Sequence, residues 1–178
     1  MVKLRTPLAA LAVLLIAAVT EARTWRVERD GSGDFAVLYL AVDAAAAGDT
    51  IRLGPGLFNE YKYESDYAWE TYCCAHVTVA DITIIGAGAD LTTVGLEHFD
   101  PYWPDYVIGI SCNDYSISIS DLRINGVFEG VHFQGPDLSL SHCVLSNCDV
   151  GVGTWGDSSN TFYRCVLDGT LSSGLAAF

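Results

Sequence analysis

Residues 115–135 read YSISISDLRINGVFEGVHFQG, and residues 136–156 read PDLSLSHCVLSNCDVGVGTWG. Laid one above the other, the two stretches stay in step at a 21-residue spacing (136 − 115) without a gap. Ile117 falls on Leu138, Ile119 on Leu140, Leu122 on Cys143 and Ile124 on Leu145. Gly130-Val131 falls on Gly151-Val152. A third copy follows with one extra residue, so that Phe162, Cys165 and Leu167 take the places of Leu140, Cys143 and Leu145. An earlier copy is read 40 residues upstream (119 − 79), where residues 79–86 match 119–126 and Ile82 takes the slot of Leu122.

Within each copy apolar residues alternate with Ser, Thr or Arg. A period of two is the mark of a strand with one buried face. Gly, Asn and Asp punctuate the strands every few residues. No such strand can bury its apolar face alone, but copies stacked in parallel bury Ile117, Leu138 and their equivalents as one column. A period near 21 residues with several short strands per copy predicts an all-β chain, a parallel β-helix with one coil per repeat. A β-sandwich of hairpins is the competing fold. It would show two-residue hairpin turns and no constant repeat.

The front of the stack has a predicted cap. Asp34 is placed as a helix N-cap, with Leu38, Ala41, Val42 and Ala45 at i, i+3, i+4 and i+7. Gly48 ends this amphipathic helix of about three turns. Its apolar face is expected to close the end of the coils, the first strand being residues 50–53. The back has no comparable lid, and an uncovered parallel edge invites pairing. Truncation at the C-terminus is therefore expected, with either missing C-terminal coils or a partner chain covering the open end.

Ahead of the repeats, Lys3 and Arg5 precede an unbroken apolar run from Leu8 to Val19, followed by Thr20-Glu21-Ala22. That is the pattern of a secretory signal peptide over residues 1–22. Its apolar run is too short for a bilayer, which needs about 20 residues. No Cys follows the run, as a lipid anchor would require. Residues 23–178 are then one domain, with the cap at 23–49 and coils at 50–178, in a secreted or extracellular protein, a periplasmic location being the alternative. The chain carries 22 acidic and 9 basic side chains, a net charge of −13. Such an acidic balance argues against nucleic acid and anionic membranes as partners. Export permits disulfides among the six cysteines, which allow 15 pairings; buried thiols are the alternative. Cys73-Cys74-Ala75-His76 offers zinc ligands but at a spacing unlike the usual paired knuckles.

Several segments carry a family resemblance. Asp30-Gly31-Ser32-Gly33-Asp34-Phe35, Ala41-Val42-Asp43-Ala44-Ala45, Gly48-Asp49-Thr50-Ile51-Arg52-Leu53, Pro55-Gly56 and Ile82-Thr83-Ile84-Ile85-Gly86 resemble the N-terminal part of pectinesterase-like and pectate-lyase-like proteins. The resemblance covers residues 27–95 and implies a right-handed parallel β-helix, with activity of a carbohydrate-active kind: pectinesterase-, polysaccharide lyase- or glycosidase-like. The catalytic motifs of those enzymes, a Gln-Asp turn with an Asp-Phe-Ile-Phe-Gly strand, or Trp-Ile-Asp-His with an Arg-x-Pro-x-x-Arg element, are absent. No catalytic residue is carried over, because one fold front serves many functions.

Chemistry is expected in two inserted loops. Residues 58–72 and 99–106 hold 10 of the chain's 20 aromatic residues in 23 positions, interleaved with acids. Such rings stack on the flat face of a sugar while carboxylates take its hydroxyls. The predicted polysaccharide-binding residues are Tyr61, Tyr63, Glu64, Asp66, Trp69, Asp100, Tyr102, Trp103 and Asp105. The alternative is that the aromatics form a satellite core beneath long loops. A paired-carboxylate hydrolase would draw acid and base from Glu64, Asp66, Asp100 and Asp105, and calcium could be held by the same acids. No other cofactor is implied. His132 and His142 are read as single exposed coil residues. A non-catalytic structural or adhesive surface protein is the other function class.

Overall fold

The computed structural model describes residues 21–65, 70–99, 106–169 and, as a strand, 173–177. Residues 1–20, most of the expected signal segment, lie outside them. The chain opens with β1 (Thr24–Val27), helix α1 (Leu38–Ala44), β2 (Thr50–Leu53), β3 (Gly56–Phe58), β4 (Lys62–Glu64) and β5 (Thr71–Val77). Four circuits of three strands follow. They are β6 (Ile82–Ile85), β7 (Thr92–Gly95) and β8 (Tyr106–Asn113); β9 (Ile117–Ser120), β10 (Arg123–Asn125) and β11 (Glu129–Gln134); β12 (Asp137–Ser141), β13 (Val144–Ser146) and β14 (Val150–Thr154); and β15 (Ser159–Tyr163), β16 (Val166–Asp168) and β17 (Ser173–Ala177).

Each circuit places one strand in each of three sheets, ordered β1-β2-β6-β9-β12-β15, β3-β7-β10-β13-β16 and β4-β5-β8-β11-β14-β17. Every pairing is parallel except that of β4 with β5. These stacked parallel sheets with one described helix are compatible with a β-solenoid. The register joins Ile117 to Leu138, Ile124 to Leu145 and Val131 to Val152, the residues the repeat sets opposite one another. Phe162 and Leu167 then pair with Leu140 and Leu145.

The core is a set of columns. Ile51, Ile84, Ile119 and Leu140 stack on successive strands of the first sheet, each at most 1% exposed. Corners recur with the same period. Asp121, His142 and Arg164 carry positive φ where the first sheet passes to the second, and Gly126, Asn147 and Gly169 do so where the second passes to the third. Asp, Asn, His and Gly are the residues that adopt that conformation most readily; Arg164 has only its place in the repeat to hold it there.

Three expectations need correction. The upstream copy is not in a 40-residue register. Ile82 pairs with Ile117 and Val94 with Ile124, offsets of 35 (117 − 82) and 30 (124 − 94). The chain spends six residues between β6 and β7 but only two between β9 and β10, so one corner absorbs the difference. Ile82 therefore joins the column of Ile117 and Leu138, not that of Leu122. At the front, Thr24–Val27 is a strand preceding the expected first one. The helix is seven residues with Val37 as N-cap and no side-chain cap. Asp34 instead accepts the backbone N–H of Arg26 at 2.9 Å. Leu38, Ala41 and Val42 of α1 do join the core.

The third correction concerns sulfur. All six cysteines are free thiols, so the expected disulfides do not form. Cys73 and Cys74 are chain neighbours, and Cys74 packs into the core while Cys73 does not. Cys112 lies in a column between Val77 and Phe133, against carbon rather than sulfur. Burial pushes the thiols up, Cys74 and Cys143 to about 12 and Cys112 and Cys148 to about 11, from an ordinary 9.0.

Leu140→Ala is expected to destabilise the protein by about 2–5 kcal/mol through the cavity it leaves, read from urea unfolding. Ser139→Ala on the same strand should stay within about 0.5 kcal/mol. The thiols give a second expectation. Unfolded thiols ionise near pH 9.0 while folded Cys74, Cys112, Cys143 and Cys148 stay neutral until about 11–12. Their stabilising contribution is thus complete below pH 9 and is lost as pH rises through that window. Unfolding midpoints should fall accordingly, and denatured, unreduced protein should take up six alkyl groups by intact mass; fewer would indicate disulfides.

Candidate functional site

In the third sheet a row of glycines faces the core. A Cβ on Gly109 would run into Ile124 and the carbonyl of Gly130, and one on Gly130 into Leu145 and the carbonyl of Gly151. One residue further along each strand, Ala75, Ile110, Val131 and Val152 also turn inward, so two consecutive positions on each strand face the core. The residues on either side of each pair must then both face outward. On β11 these are Glu129 and His132, whose side chains meet. On β5 they are Cys73 and His76, and on β8 Ile108 and Ser111.

His76, Ser111, His132 and Gly153 are register partners across four strands. His76 Nδ1 lies 3.3 Å from Ser111 Oγ, with His76 5% and Ser111 0% exposed. His132 Nδ1 lies 2.9 Å from Glu129 Oε2, and Tyr106 OH donates to the same oxygen at 3.4 Å.

Glu129 is 1% exposed, and its Oε1 is buried without a hydrogen-bond partner. A buried carboxylate oxygen left unbonded is costly. The space around it is kept open by Gly153, where a Cβ would meet Glu129 Oε1 and the Trp155 ring. Trp155 stacks on His132 with centroids 4.2 Å apart and planes 28° apart. The rings of Tyr106 and Phe128 meet at 4.0 Å with their planes tilted by 36°.

Of the sequence-predicted site residues, Tyr61, Tyr63 and Glu64 are described. Asp66, Trp69, Asp100, Tyr102, Trp103 and Asp105 lie outside the described residues, as do the remaining acids of the carboxylate-pair and calcium readings. Tyr61 and Tyr72 pack against the core and meet edge to face at 5.6 Å. Tyr63 also meets Tyr72, at 5.7 Å, yet is 54% exposed. Glu64 forms an ion pair with Lys62 at 3.2 Å, without hydrogen-bond geometry at Oε1. Lys62 in turn bonds Asp43 of α1 at 2.7 Å. The Cys73 thiol lies in the field of both Glu64 and Glu129, and burial with those two charges pushes it well above its ordinary value. The predicted Glu64 and the unforeseen Glu129 therefore share one flank.

The reading of His132 as an exposed coil residue is corrected: its side chain is 14% exposed, paired to Glu129 and stacked on Trp155. His142 is exposed, at a corner 3.6 Å from Asp121. The zinc alternative fails on direction, since Cys74 turns inward while Cys73 and His76 face out. Among the described residues no three His, Cys, Asp or Glu side chains gather as a metal site. The repeat did hold a signal for the missed group. Glu129 is an acid in a slot that Ile108 and Val150 fill with carbon.

No protein-family model matches the chain, and no curated protein is significantly similar to it.

Gly153→Ala is expected to lower stability by about 1–3 kcal/mol by overpacking and to shift Trp155 emission. Gly151→Ala should destabilise the fold without that spectral change, so matching spectra for the two variants would contradict the cradle.

Proposed function

We propose that the protein is a secreted right-handed parallel β-helix protein that binds a polysaccharide, acidic or plant-type, along the outer face of its third sheet. The observation that supports this best is the row of His76, Ser111 and His132 on adjacent strands, flanked by Glu129 and by the rings of Trp155 and Tyr106. Parallel strands repeat every ~4.8 Å, so the row sets polar groups at a regular spacing beneath this flank, with His132 nearest the solvent. Polar groups beside aromatic faces suit sugar rings, whose hydroxyls need partners and whose flat faces need carbon. Glu64 pairs with Thr71, and Thr71 with Tyr106, which sets Glu64 on the same flank.

The handedness and the glycan class come from the resemblance of residues 27–95 to pectinesterase-like and pectate-lyase-like proteins. Export comes from the pattern of residues 1–22. Among the described residues no helix is long and apolar enough to cross a membrane.

One observation favours a second reading, a non-catalytic structural or adhesive surface protein. Tyr61 and Tyr72 are packed against the core, as a satellite core would have them.

Titration of the mature protein with acidic and neutral plant-type polysaccharides, followed by Trp fluorescence, separates the two. A saturable change is expected, lost in a Trp69→Ala, Trp103→Ala double variant and weakened in Tyr63→Ala. Silence toward every glycan would leave only the structural reading.

A further inference from the structure

A cavity of about 260 Å³ opens on the first sheet, beside the corner that leads from β2 to β3, with Arg26, Glu28, Arg52, Gly54, Pro55 and Ile85 in its walls. We propose that it binds a small hydroxy-carboxylate, the size of one sugar acid, with the carboxylate on Arg52 and Arg26 and a hydroxyl on Glu28. The site is separate from the third-sheet flank and does not rest on the glycan reading above.

Three observations carry the inference. The first is an incomplete charge pairing. Arg26 and Arg52 are register partners on β1 and β2, and Ile85 of β6 is next in the row. Their neighbours Val27, Ile51 and Leu53 belong to the core, so both guanidinium chains leave the outer face side by side, about 4.8 Å apart at the backbone. Like charges on adjacent strands repel, and an anion between them removes the repulsion. Glu28 does this for Arg26 alone, at 3.2 Å. The Arg52 side chain has no ion pair or hydrogen bond among the described residues.

The second observation is the sign of the lining. It carries two guanidiniums against one carboxylate, in a chain whose net charge is −13. A local positive excess of this kind selects an anion, and the planar fork of Arg matches a carboxylate. The third is shape. A Cβ on Gly54 would occupy the place of Glu28 Oε2, so the bare backbone there lets the carboxylate sit in the cavity wall. Oε1 accepts from Arg26, and Oε2 has no donor among the described residues, which leaves it to accept from a hydroxyl. Pro55 and Ile85 supply carbon to the flat face of a ring. Ile85 stands in an outward slot that the next strands fill with Ser120 and Ser141. The backbone N–H groups of Gly54, Gly86 and Ala87 are bonded to Val27, Ser120 and Thr92, so recognition falls to the side chains. The volume lies below the ~300–1,000 Å³ of pockets for drug-sized ligands, which limits the occupant to about one ring.

The test titrates the mature protein with sodium D-glucuronate by calorimetry and ligand-observed NMR. D-Glucose serves as the neutral ring and acetate as the bare carboxylate. Glucuronate is expected to bind with a Kd of about 1 mM, acetate more weakly and glucose not at all. Arg52→Ala should weaken glucuronate binding by about 10-fold or more, with circular dichroism and the urea midpoint unchanged because the side chain is exposed. Arg52→Lys should recover only part of it, since an ammonium lacks the planar fork. Glu28→Gln should remove the advantage of glucuronate over acetate without loss of acetate binding. Equal binding of glucose and glucuronate, or glucuronate binding indifferent to Arg52→Ala, would overturn the proposal, as would silence toward both glucuronate and polyglucuronate. A free acid and a unit of a chain share this chemistry: binding of glucuronate alone assigns the site to the free acid, and Arg52-dependent binding of polyglucuronate as well assigns it to a chain. A polysaccharide response that Arg52→Ala leaves intact, with no glucuronate binding, sinks this inference alone. Arg52-dependent glucuronate binding without a response from the third-sheet flank sinks only the glycan reading.

Discussion

Parallel strand pairing in strict register is the constraint on which everything else in this protein depends. A strand of four residues that buries every second side chain has too little apolar surface to fold alone. It becomes stable when the strand above and the strand below present the same parity. Ile51, Ile84, Ile119 and Leu140 do this on one sheet. The same register that stacks inward carbon also stacks outward chemistry, so His76, Ser111 and His132 come together although 35 (111 − 76) and 21 (132 − 111) residues separate them in sequence.

The pair of inward positions on each strand of the third sheet converts that ladder into a site. Facing glycines let two successive positions turn inward, which breaks the alternation and sends residues three apart out on the same side. Without it, Glu129 would point into the core with Val131, where an ionised carboxylate could not be kept. With it, Glu129 reaches His132. Glycine is used here because the neighbouring strand's carbonyl occupies the place a Cβ would need.

Much of the architecture was legible in residues 115–167. There the copies have equal or nearly equal lengths, and alternation alone aligns Ile117 with Leu138 and Leu140 with Phe162. Upstream the same reasoning misplaced Ile82. Its similarity to residues 119–126 was real as a string, but register is set by strand pairing and corner length, and residues 86–91 form a longer corner than residues 121–122. The cap erred for a related reason. Asp34 has the side chain of an N-cap, yet the nearby β1 offered it a better donor in the N–H of Arg26.

By itself, the sequence determined the strand parity, the repeat in its second half, the acidic balance and the clustering of aromatic residues near Glu64, because each is a property of neighbours along the chain. Only the tertiary structure decided that the cysteines remain thiols, that Tyr61 serves the core while Tyr63 stays exposed, and that Glu129 joins His132. Those outcomes depend on which face a side chain takes and on what the next strand places beside it. The close approach of the next strand at Gly130 fixes both, and a string of letters does not show what lies beside it.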